Sequence, residues 1–261
     1  MTTGLVLSGG GVRGIAHIGA IKALEEHGIV PSHIAGTSAG AIVGALYAGG
    51  CSWQEILDFF KKTELFSLNN YAKGKPGFLD TEKFYDQFKT YLPHDSFDSL
   101  KIPLYITATN LLDGTLHTFH NGELIKPILA SAAVPGFFAP VQMADGYFVD
   151  GGTLNNFPVD LIRAQCDHIV GVYVNPFASV EIKDLSHVNK VLERAYQVMV
   201  THETTRKFKD CDLLVRPRNM DQYGIFSFRY IDKIFDLGYR ATLEALKNSS
   251  ISPDLMSPTH P

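Results

Sequence analysis

Residues 33–48 read HIAGTSAGAIVGALYA: a short apolar segment, a G-x-S-x-G pentad centred on Ser38, and a run of small apolar residues. This pattern predicts a strand that turns sharply into a helix, because the residues on both sides of the serine are small. Such a turn exposes the serine hydroxyl beyond the end of the strand. Ser38 is therefore the candidate nucleophile, supported by Gly36 and Gly40, although the same residues also suit an ordinary tight turn.

A second glycine-rich turn precedes this pentad. The apolar segment Leu5-Val6-Leu7 runs into SGGGVRG at residues 8–14, and the pattern predicts a helix from there through about Glu26. Consecutive glycines let backbone N–H groups converge on an anion at a helix N-terminus. Parallel strands bring two such turns to one edge of a sheet. We therefore expect an oxyanion hole beside the serine, formed by the amides of Gly10 and Gly11 with the Ala39 amide as a further donor.

The same glycines also fit a nucleotide-binding hypothesis. Gly9, Gly11 and Gly14 match the G-x-G-x-x-G pattern of dinucleotide-binding folds. That site needs an acidic residue at the end of the second strand, but the predicted strand His33-Ile34-Ala35 runs into the serine pentad instead. No Gly-Lys-Ser/Thr follows the glycines, as a Walker loop requires. Nucleotide binding is an alternative that predicts thermal stabilisation by NAD or ATP.

A serine hydroxyl needs a base to act as a nucleophile at neutral pH. Four histidines follow Ser38 at distances plausible for a hydrolase triad, but none lies in a loop context typical of one: His168, His187, His202 and His260. A better candidate is Asp150, which ends a short apolar segment and precedes Gly151 and Gly152. Asp-Gly is also a common turn dipeptide. Because the usual pKa of aspartate is about 3.9, this carboxylate is a useful base only in a partly desolvated pocket.

Read together, these segments resemble the patatin-like phospholipase family. The glycine loop, the serine pentad and Val-Asp-Gly-Gly at residues 149–152 occur in the family's order, and ASAAVPGFFAP at residues 130–140 is similar to its segment before the aspartate. The resemblance implies a Ser38–Asp150 dyad without histidine and an oxyanion loop at Gly9–Gly11. It places Arg13 at the family's arginine position, where it either braces the loop or acts directly. The chain looks similar to the short bacterial single-domain members of that family.

Length and composition predict one large domain. The chain has 261 residues, of which 45% are hydrophobic and 19% charged, enough for a sizeable core. Alternating strands and helices predict an α/β fold with a mostly parallel sheet covered by helices on both faces. The resemblance implies the patatin-like three-layer sandwich over residues 1–247, and we expect a flexible tail over residues 248–261. Later predicted elements are strands at Leu104–Asn110, Thr115–His120, Ile169–Val174 and Leu213–Arg216, an intervening helix with an apolar stripe from Val188 to Met199, and a last helix over Tyr230–Leu246.

Charge and cysteine content limit the partners. A net charge of −4, with lysines and arginines spread along the chain, argues against nucleic acid. The three separated cysteines predict free thiols and a cytoplasmic protein, and their spacing fits no metal site. We also expect neither a leader nor a membrane-spanning segment, since no detached apolar stretch is long enough for either. We expect no cofactor and no metal. Transient contact with a membrane surface and the oligomeric state are open.

The substrate is inferred from apolar residues and from the resemblance. Phe137 and Phe138 precede the aspartate and are candidate pocket residues, and Ser67–Gly77 is a candidate flap. The resemblance implies fatty-acyl esters such as phospholipids and lysophospholipids. We therefore expect a serine acyl hydrolase; the alternatives are an acyltransferase and a regulatory lipid-binding module. Aromatic residues around the flap fit either an acyl pocket or a helix core: Phe59, Phe60, Phe66, Tyr71, Phe78, Phe84, Tyr85, Phe88 and Tyr91.

Overall fold

The computed structural model describes residues 1–62, 84–143, 146–175, 177, 179–224 and 228–249. The candidate flap, the aromatic residues Phe66, Tyr71 and Phe78, and the tail from residue 250 lie outside the described residues. The strands are β1 Thr3–Leu7, β2 His33–Gly36, β3 Leu104–Asn110, β4 Leu116–Phe119, β5 Val141–Met143, β6 Gly146–Asp150, β7 His168–Val172 and β8 Leu213–Val215. The α-helices are α1 Ile15–Glu26, α2 Ala39–Ala48, α3 Trp53–Lys62, α4 Tyr85–Tyr91, α5 Ile125–Ser131, α6 Val188–Thr205 and α7 Ile231–Asn248.

The described strands form one mixed sheet in the order β5-β6-β3-β2-β1-β7-β8, with β4 paired to β3. The pairs β3-β2, β2-β1, β1-β7 and β7-β8 are parallel. The predicted hairpin is confirmed as the antiparallel pair β3-β4. The carboxyl ends of β1, β2, β7 and β8 therefore meet at one edge, where ligands bind in open α/β sheets.

Strands β2 and β6 pair with the same edge of β3. Ile106 pairs with both Gly36 of β2 and Phe119 of β4, so β2 and β4 lie on opposite edges of β3. Ala108 pairs with both Asp150 of β6 and a β4 residue, so β6 also lies opposite β4. Since β2 is parallel and β6 antiparallel to β3, these two strands run toward each other along the same edge. The last residues of β2 and β6 pair with Ile106 and Ala108 of β3, which are two positions apart.

Alternating strand residues divide the core between the two faces of the sheet. Leu5 and Leu7 of β1 belong to a large cluster with residues of α1 and α2, whereas Val6 belongs to a smaller cluster. Short 3-10 helices that include Val159 and Phe208 cover the smaller cluster. The predicted α/β sheet flanked by helices is confirmed. Four aromatic residues in or next to α3 and α4 belong to the core, since Phe59, Phe60, Phe84 and Phe88 are buried in the large cluster.

Helices α1 and α7 pack closely through glycines. A Cβ on Gly238 would meet the backbone of Ala16, and one on Gly19 would meet the backbone of Phe235. These contacts join the two ends of the described chain. Helix α7 ends at Asn248, two residues beyond its predicted end.

Candidate active site

Ser38 occupies the sharp turn between β2 and α2. Its backbone has φ 54° and ψ −122°, a conformation that costs a non-glycine residue on the order of 1–3 kcal/mol and is typical of a nucleophile elbow. The Ser38 N–H donates a hydrogen bond of 2.8 Å to the hydroxyl oxygen of Ser131, at the end of α5. Ser131 is fully buried, so this contact holds the strained turn from the protein interior.

Asp150 reaches the serine because β6 runs into the end of β2. Its N–H donates to the Ala133 carbonyl at 2.9 Å, and its Oδ1 accepts the Gly152 N–H at 2.7 Å. Asp150 is 3% exposed, and the Ser38 hydroxyl interacts with its carboxyl group. The structure thus brings together the two side chains that lie 112 positions apart in the sequence, as the dyad hypothesis requires.

Burial changes the acid strength of Asp150. Desolvation of the carboxylate raises the pKa of Asp150 to about 6, although the hydrogen bonds from Ser38 and the Gly152 amide act in the opposite direction. A carboxylate with this pKa is a stronger base than a solvated aspartate and is still mostly ionised at neutral pH. The site therefore holds a base suited to accepting the serine proton.

The glycine loop lies directly against Ser38 but differs from the prediction at Gly9. The Gly9 N–H donates to the Asn156 carbonyl at 3.1 Å, so this amide is not available to an oxyanion. A Cβ on Gly9 would collide with the Asn156 side chain and lie 3.1 Å from the Ser38 Cβ. Gly9 therefore lets the loop approach the serine instead of donating a hydrogen bond.

Three of the four predicted amides have no protein acceptor. Within the described residues, no hydrogen bond engages the N–H of Gly10, Gly11 or Ala39. Gly11 has φ 57°, a left-handed conformation that favours glycine. These amides precede or begin α1 and α2, whose positive helix ends favour an anion beside Ser38.

Two buried polar side chains hold the glycine loop in place through hydrogen bonds to backbone carbonyls. Arg13 is 5% exposed, and its Nε donates at 2.6 Å to the Tyr223 carbonyl, between β8 and α7, which supports a bracing role. His17 of α1 is fully buried, and its Nε2 bonds to the Ser8 carbonyl at 2.8 Å. Burial lowers the pKa of His17 to about 4, so the imidazole is neutral and Nε2 is the donor.

The remaining predicted supporting residues lie at close contacts around the dyad. A Cβ on Gly14 would meet Ala39, one on Gly36 would meet Gly40, and one on Gly151 would meet Thr107.

The two candidate pocket residues differ in their exposure to solvent. Phe138 is 4% exposed and packs in the large core cluster, whereas Phe137 is 39% exposed. Only Phe137 thus presents substantial surface to a ligand.

Sequence reasoning assigned no role to three polar residues that hold this site. Ser131 and Asn156 accept hydrogen bonds from Ser38 and Gly9, and the Asn175 side chain donates to the Gly9 carbonyl. Ser131 lies in a segment that the resemblance had marked. Asn156 follows the Asp-Gly-Gly motif in the sequence but accepts through its backbone carbonyl, for which no residue pattern gives a signal.

The fold and the site define an α/β protein with a serine at a strand-to-helix elbow beside a buried carboxylate. Comparison with known proteins is more specific. The chain belongs to the patatin-like phospholipase family, whose model matches residues 5–162.

Three similar curated proteins are a neuropathy target esterase, a lysophospholipase and an NTE family protein. The chain is 32% identical to the neuropathy target esterase sws of Drosophila melanogaster over 90% of its own length and 19% of that protein. It is 27% identical to the lysophospholipase NTE1 of Mycosarcoma maydis, over 94% of this chain and 15% of that protein. An uncharacterized NTE family protein of Mycobacterium bovis is 36% identical over 66% of this chain and 48% of its own length. The chain thus spans less than half of each relative.

A solved structure supports the fold. The crystal structure of VipD from Legionella pneumophila has a TM-score of 0.55 and 15% sequence identity, covering 94% of this chain and 67% of VipD. Among the helices of the described residues, none combines the length and apolar character needed to cross a membrane.

Proposed function

We propose that this chain is a serine acyl hydrolase that cleaves fatty-acyl carboxylic esters, of the phospholipase or lysophospholipase type. The observation that carries the proposal is the meeting of β2 and β6, because it puts the Ser38 hydroxyl against a buried carboxylate of raised pKa. Family membership and the lysophospholipase among the relatives support a lipid ester as the substrate.

The first half of the reaction forms an acyl-enzyme. The Ser38 hydroxyl oxygen attacks the ester carbonyl carbon, and its proton moves to Asp150. The negative charge on the former carbonyl oxygen is stabilised by the free amides of Gly10, Gly11 and Ala39. The tetrahedral intermediate then collapses, and the leaving alcohol takes the proton from Asp150.

The second half releases the acid. Asp150 accepts a proton from water as the water oxygen attacks the acyl carbonyl carbon, and the same amides stabilise the second oxyanion. Collapse breaks the bond to Ser38, which recovers its proton from Asp150. The fatty acid leaves, and the enzyme returns to its starting state.

We further propose that helix α6 contacts lipid surfaces transiently in a cytoplasmic protein. Its apolar stripe is exposed, with Val188, Leu192 and Met199 at 74%, 62% and 67%. Exposed apolar helix faces bind membrane interfaces, and the substrate proposed above is delivered from such a surface. The stripe lies on the helix whose Thr201 lines a cavity beside the glycine loop.

Turnover of p-nitrophenyl esters of different chain lengths tests the hydrolase proposal. We expect Ser38→Ala and Asp150→Asn to lower kcat by about a thousandfold or more, because both remove a group that acts in the transition state. The exposed residues Ser52 and Asp113 provide matched controls, and Ser52→Ala and Asp113→Asn should retain wild-type rates. Substantial turnover by Ser38→Ala would refute the proposal.

Three alternatives to a hydrolase predict different results. An acyltransferase transfers the acyl group to an added alcohol or thiol in preference to water. A lipid-binding module binds fatty acid but does not react with a fluorophosphonate probe. The absence of turnover together with stabilisation by NAD or ATP would favour the nucleotide hypothesis instead.

A further inference from the structure

A polar cavity lies beyond the carboxyl ends of β7 and β8. Its volume is about 300 Å³, at the small end of the range for ligand pockets. Two arginines line it together with hydroxyl, amide and aromatic side chains, and none of its described lining residues is acidic. The residues that matter most are Tyr173, Asn175, Thr201, Phe208, Arg216 and Arg218.

Arg216 is an exposed residue whose guanidinium lies over one aromatic ring and forms no ion pair with the described residues. Its guanidinium lies 5.4 Å from the centre of the Phe208 ring, and Phe208 packs edge-on against Tyr173 at 5.0 Å. Among the described residues, no carboxylate forms an ion pair with Arg216. Arg218 makes one exposed pair with Glu244 at 3.6 Å. The cavity therefore carries an uncompensated, oriented guanidinium, which suits bidentate recognition of phosphate.

Tyr173 supplies a second, independent indication of a ligand. The residue is 5% exposed, yet its hydroxyl makes no hydrogen bond of standard geometry with the described residues. A buried polar group without a well-formed hydrogen bond is costly and needs an explanation. Burial raises the pKa of Tyr173, whereas the contact of its hydroxyl with the Thr201 side chain and the charges of Arg216 and Arg13 act in the opposite direction. The phenol is thus a protonated donor beside a cation.

The cavity also adjoins the glycine loop. Asn175 lines the cavity, and its side-chain amide donates a hydrogen bond to the Gly9 carbonyl. The other side of Gly9 lies against Ser38. After Arg216 and Arg218, the same segment continues to Tyr223, whose carbonyl accepts from Arg13. The glycine loop thus contacts both a cavity-lining residue and Ser38.

We propose that this cavity binds a phosphate group, namely the phosphoryl head group of a substrate whose acyl ester lies at Ser38. Arg216 is the main recognition group, with the Tyr173 hydroxyl as an additional donor. The assignment to a substrate rests on the proposed hydrolase activity. The assignment to phosphate does not, because it depends only on the cavity.

The kinetic test compares two esters with the same acyl chain, a monoacylglycerol phosphate and the neutral monoacylglycerol. We expect Arg216→Gln to lower the ratio of their kcat/KM values by about tenfold or more, the usual effect of losing a charged hydrogen bond. Arg240→Gln, which removes an exposed arginine paired with Asp236 on α7, should keep the wild-type ratio. Arg216→Lys keeps the charge without the fork and should give an intermediate ratio.

The binding test needs no turnover. Calorimetry measures the affinity of the Ser38→Ala protein for glycerol 3-phosphate and for inorganic phosphate, with and without Arg216→Gln. We expect glycerol 3-phosphate to bind more tightly than phosphate, and Arg216→Gln to weaken it about tenfold. Arg218→Gln, an exposed position, serves as a second variant if Arg216→Gln lowers the thermal midpoint.

The results of the two tests distinguish the hydrolase proposal from the phosphate-site proposal. If the wild type hydrolyses neither these two esters nor the p-nitrophenyl esters, the hydrolase proposal fails, and calorimetry still decides whether the cavity binds phosphate. If both esters are hydrolysed but neither the ratio nor the affinity changes in Arg216→Gln, the phosphate site is overturned and the hydrolase proposal stands. If inorganic phosphate binds as tightly as glycerol 3-phosphate and the ratio is unchanged, the ligand is free phosphate and the head-group assignment is overturned.

Discussion

Asp150 combines two properties that conflict in most carboxylates. Its burial disfavours the ionised form, yet a base must be ionised before it accepts a proton. A pKa of about 6 satisfies both requirements, because the group is mostly ionised at pH 7 and gains a proton more readily than a solvated aspartate. The proposed chemistry therefore depends on where this side chain is buried as much as on its identity.

The pH dependence of the reaction follows from this value. Below about pH 6 Asp150 is protonated and cannot accept the Ser38 proton, so kcat/KM for a p-nitrophenyl ester should rise as the pH increases through 6 and then level off. The measurement is a rate profile from pH 4.5 to 8.5 with a substrate that does not titrate in this range. Asp113→Asn should show the same profile. A profile that is flat from pH 5 to 8 would exclude Asp150 as the base.

At the residue scale, the sequence predicts which side chains act in the site better than it predicts which hydrogen bonds they and the backbone make. Ser38 and Asp150 are recognisable because each follows a short apolar segment and is flanked by small residues. The use of the Gly9 amide is not predictable, since its acceptor is the carbonyl of Asn156, distant in sequence. Arg216 carries no local signal either, because its cavity forms only when β7 and β8 pair.

At the element scale, the two glycine turns act through the helices they begin. Helices α1 and α2 start beside Ser38, where unpaired N–H groups and the helix dipoles favour negative charge. Both helices were predicted, since apolar residues continue directly from each turn. Their buried positions follow from the absence of charge in α2 and from the apolar stripe of α1.

Helix α6 shows the limit of periodicity as evidence. Its apolar spacing correctly predicted a helix between β7 and β8. The same spacing usually indicates a core-facing side, yet this stripe is largely exposed. Spacing identifies one face of a helix, whereas the partner of that face depends on tertiary packing.

Vesicle binding tests the proposed role of this stripe. We expect Leu192→Glu to reduce co-sedimentation with phosphatidylcholine vesicles by about fivefold or more, because a charge at the interface opposes insertion of an apolar face. Val30→Glu is the matched control, since Val30 is also exposed, at 46%, but precedes the amino end of β2. Equal vesicle binding by both variants would contradict the membrane role. A change in oligomeric state for Leu192→Glu alone would assign the stripe to a second copy of the chain.

At the scale of the whole molecule, the site exists because two strands meet head to head on β3. The alternation of elements predicted the parallel part of the sheet, but the placement of β6 opposite the end of β2 depends on long-range pairing of Ala108 with Asp150. Sequence pattern does not specify such register between distant strands. The family resemblance supplied the dyad, and the pairing explains how its two members meet.

The close packing of α1 and α7 also supports the predicted domain. Because α7 contacts the helix that follows the glycine loop, we propose that residues 1–247 fold as one domain. The segment after β8 ties this domain to its site, since it carries Arg216 and the carbonyl that accepts from Arg13. The proposed chemistry thus draws on residues from both ends of the described chain.

The most direct measurement is the mass-spectrometric mapping of a fluorophosphonate adduct on the intact protein. We expect a single adduct on the peptide that contains Ser38, no adduct in Ser38→Ala, and much slower labelling in Asp150→Asn than in Asp113→Asn. An adduct on a different residue, or ester turnover by a protein that the probe does not modify, would refute Ser38 as the nucleophile.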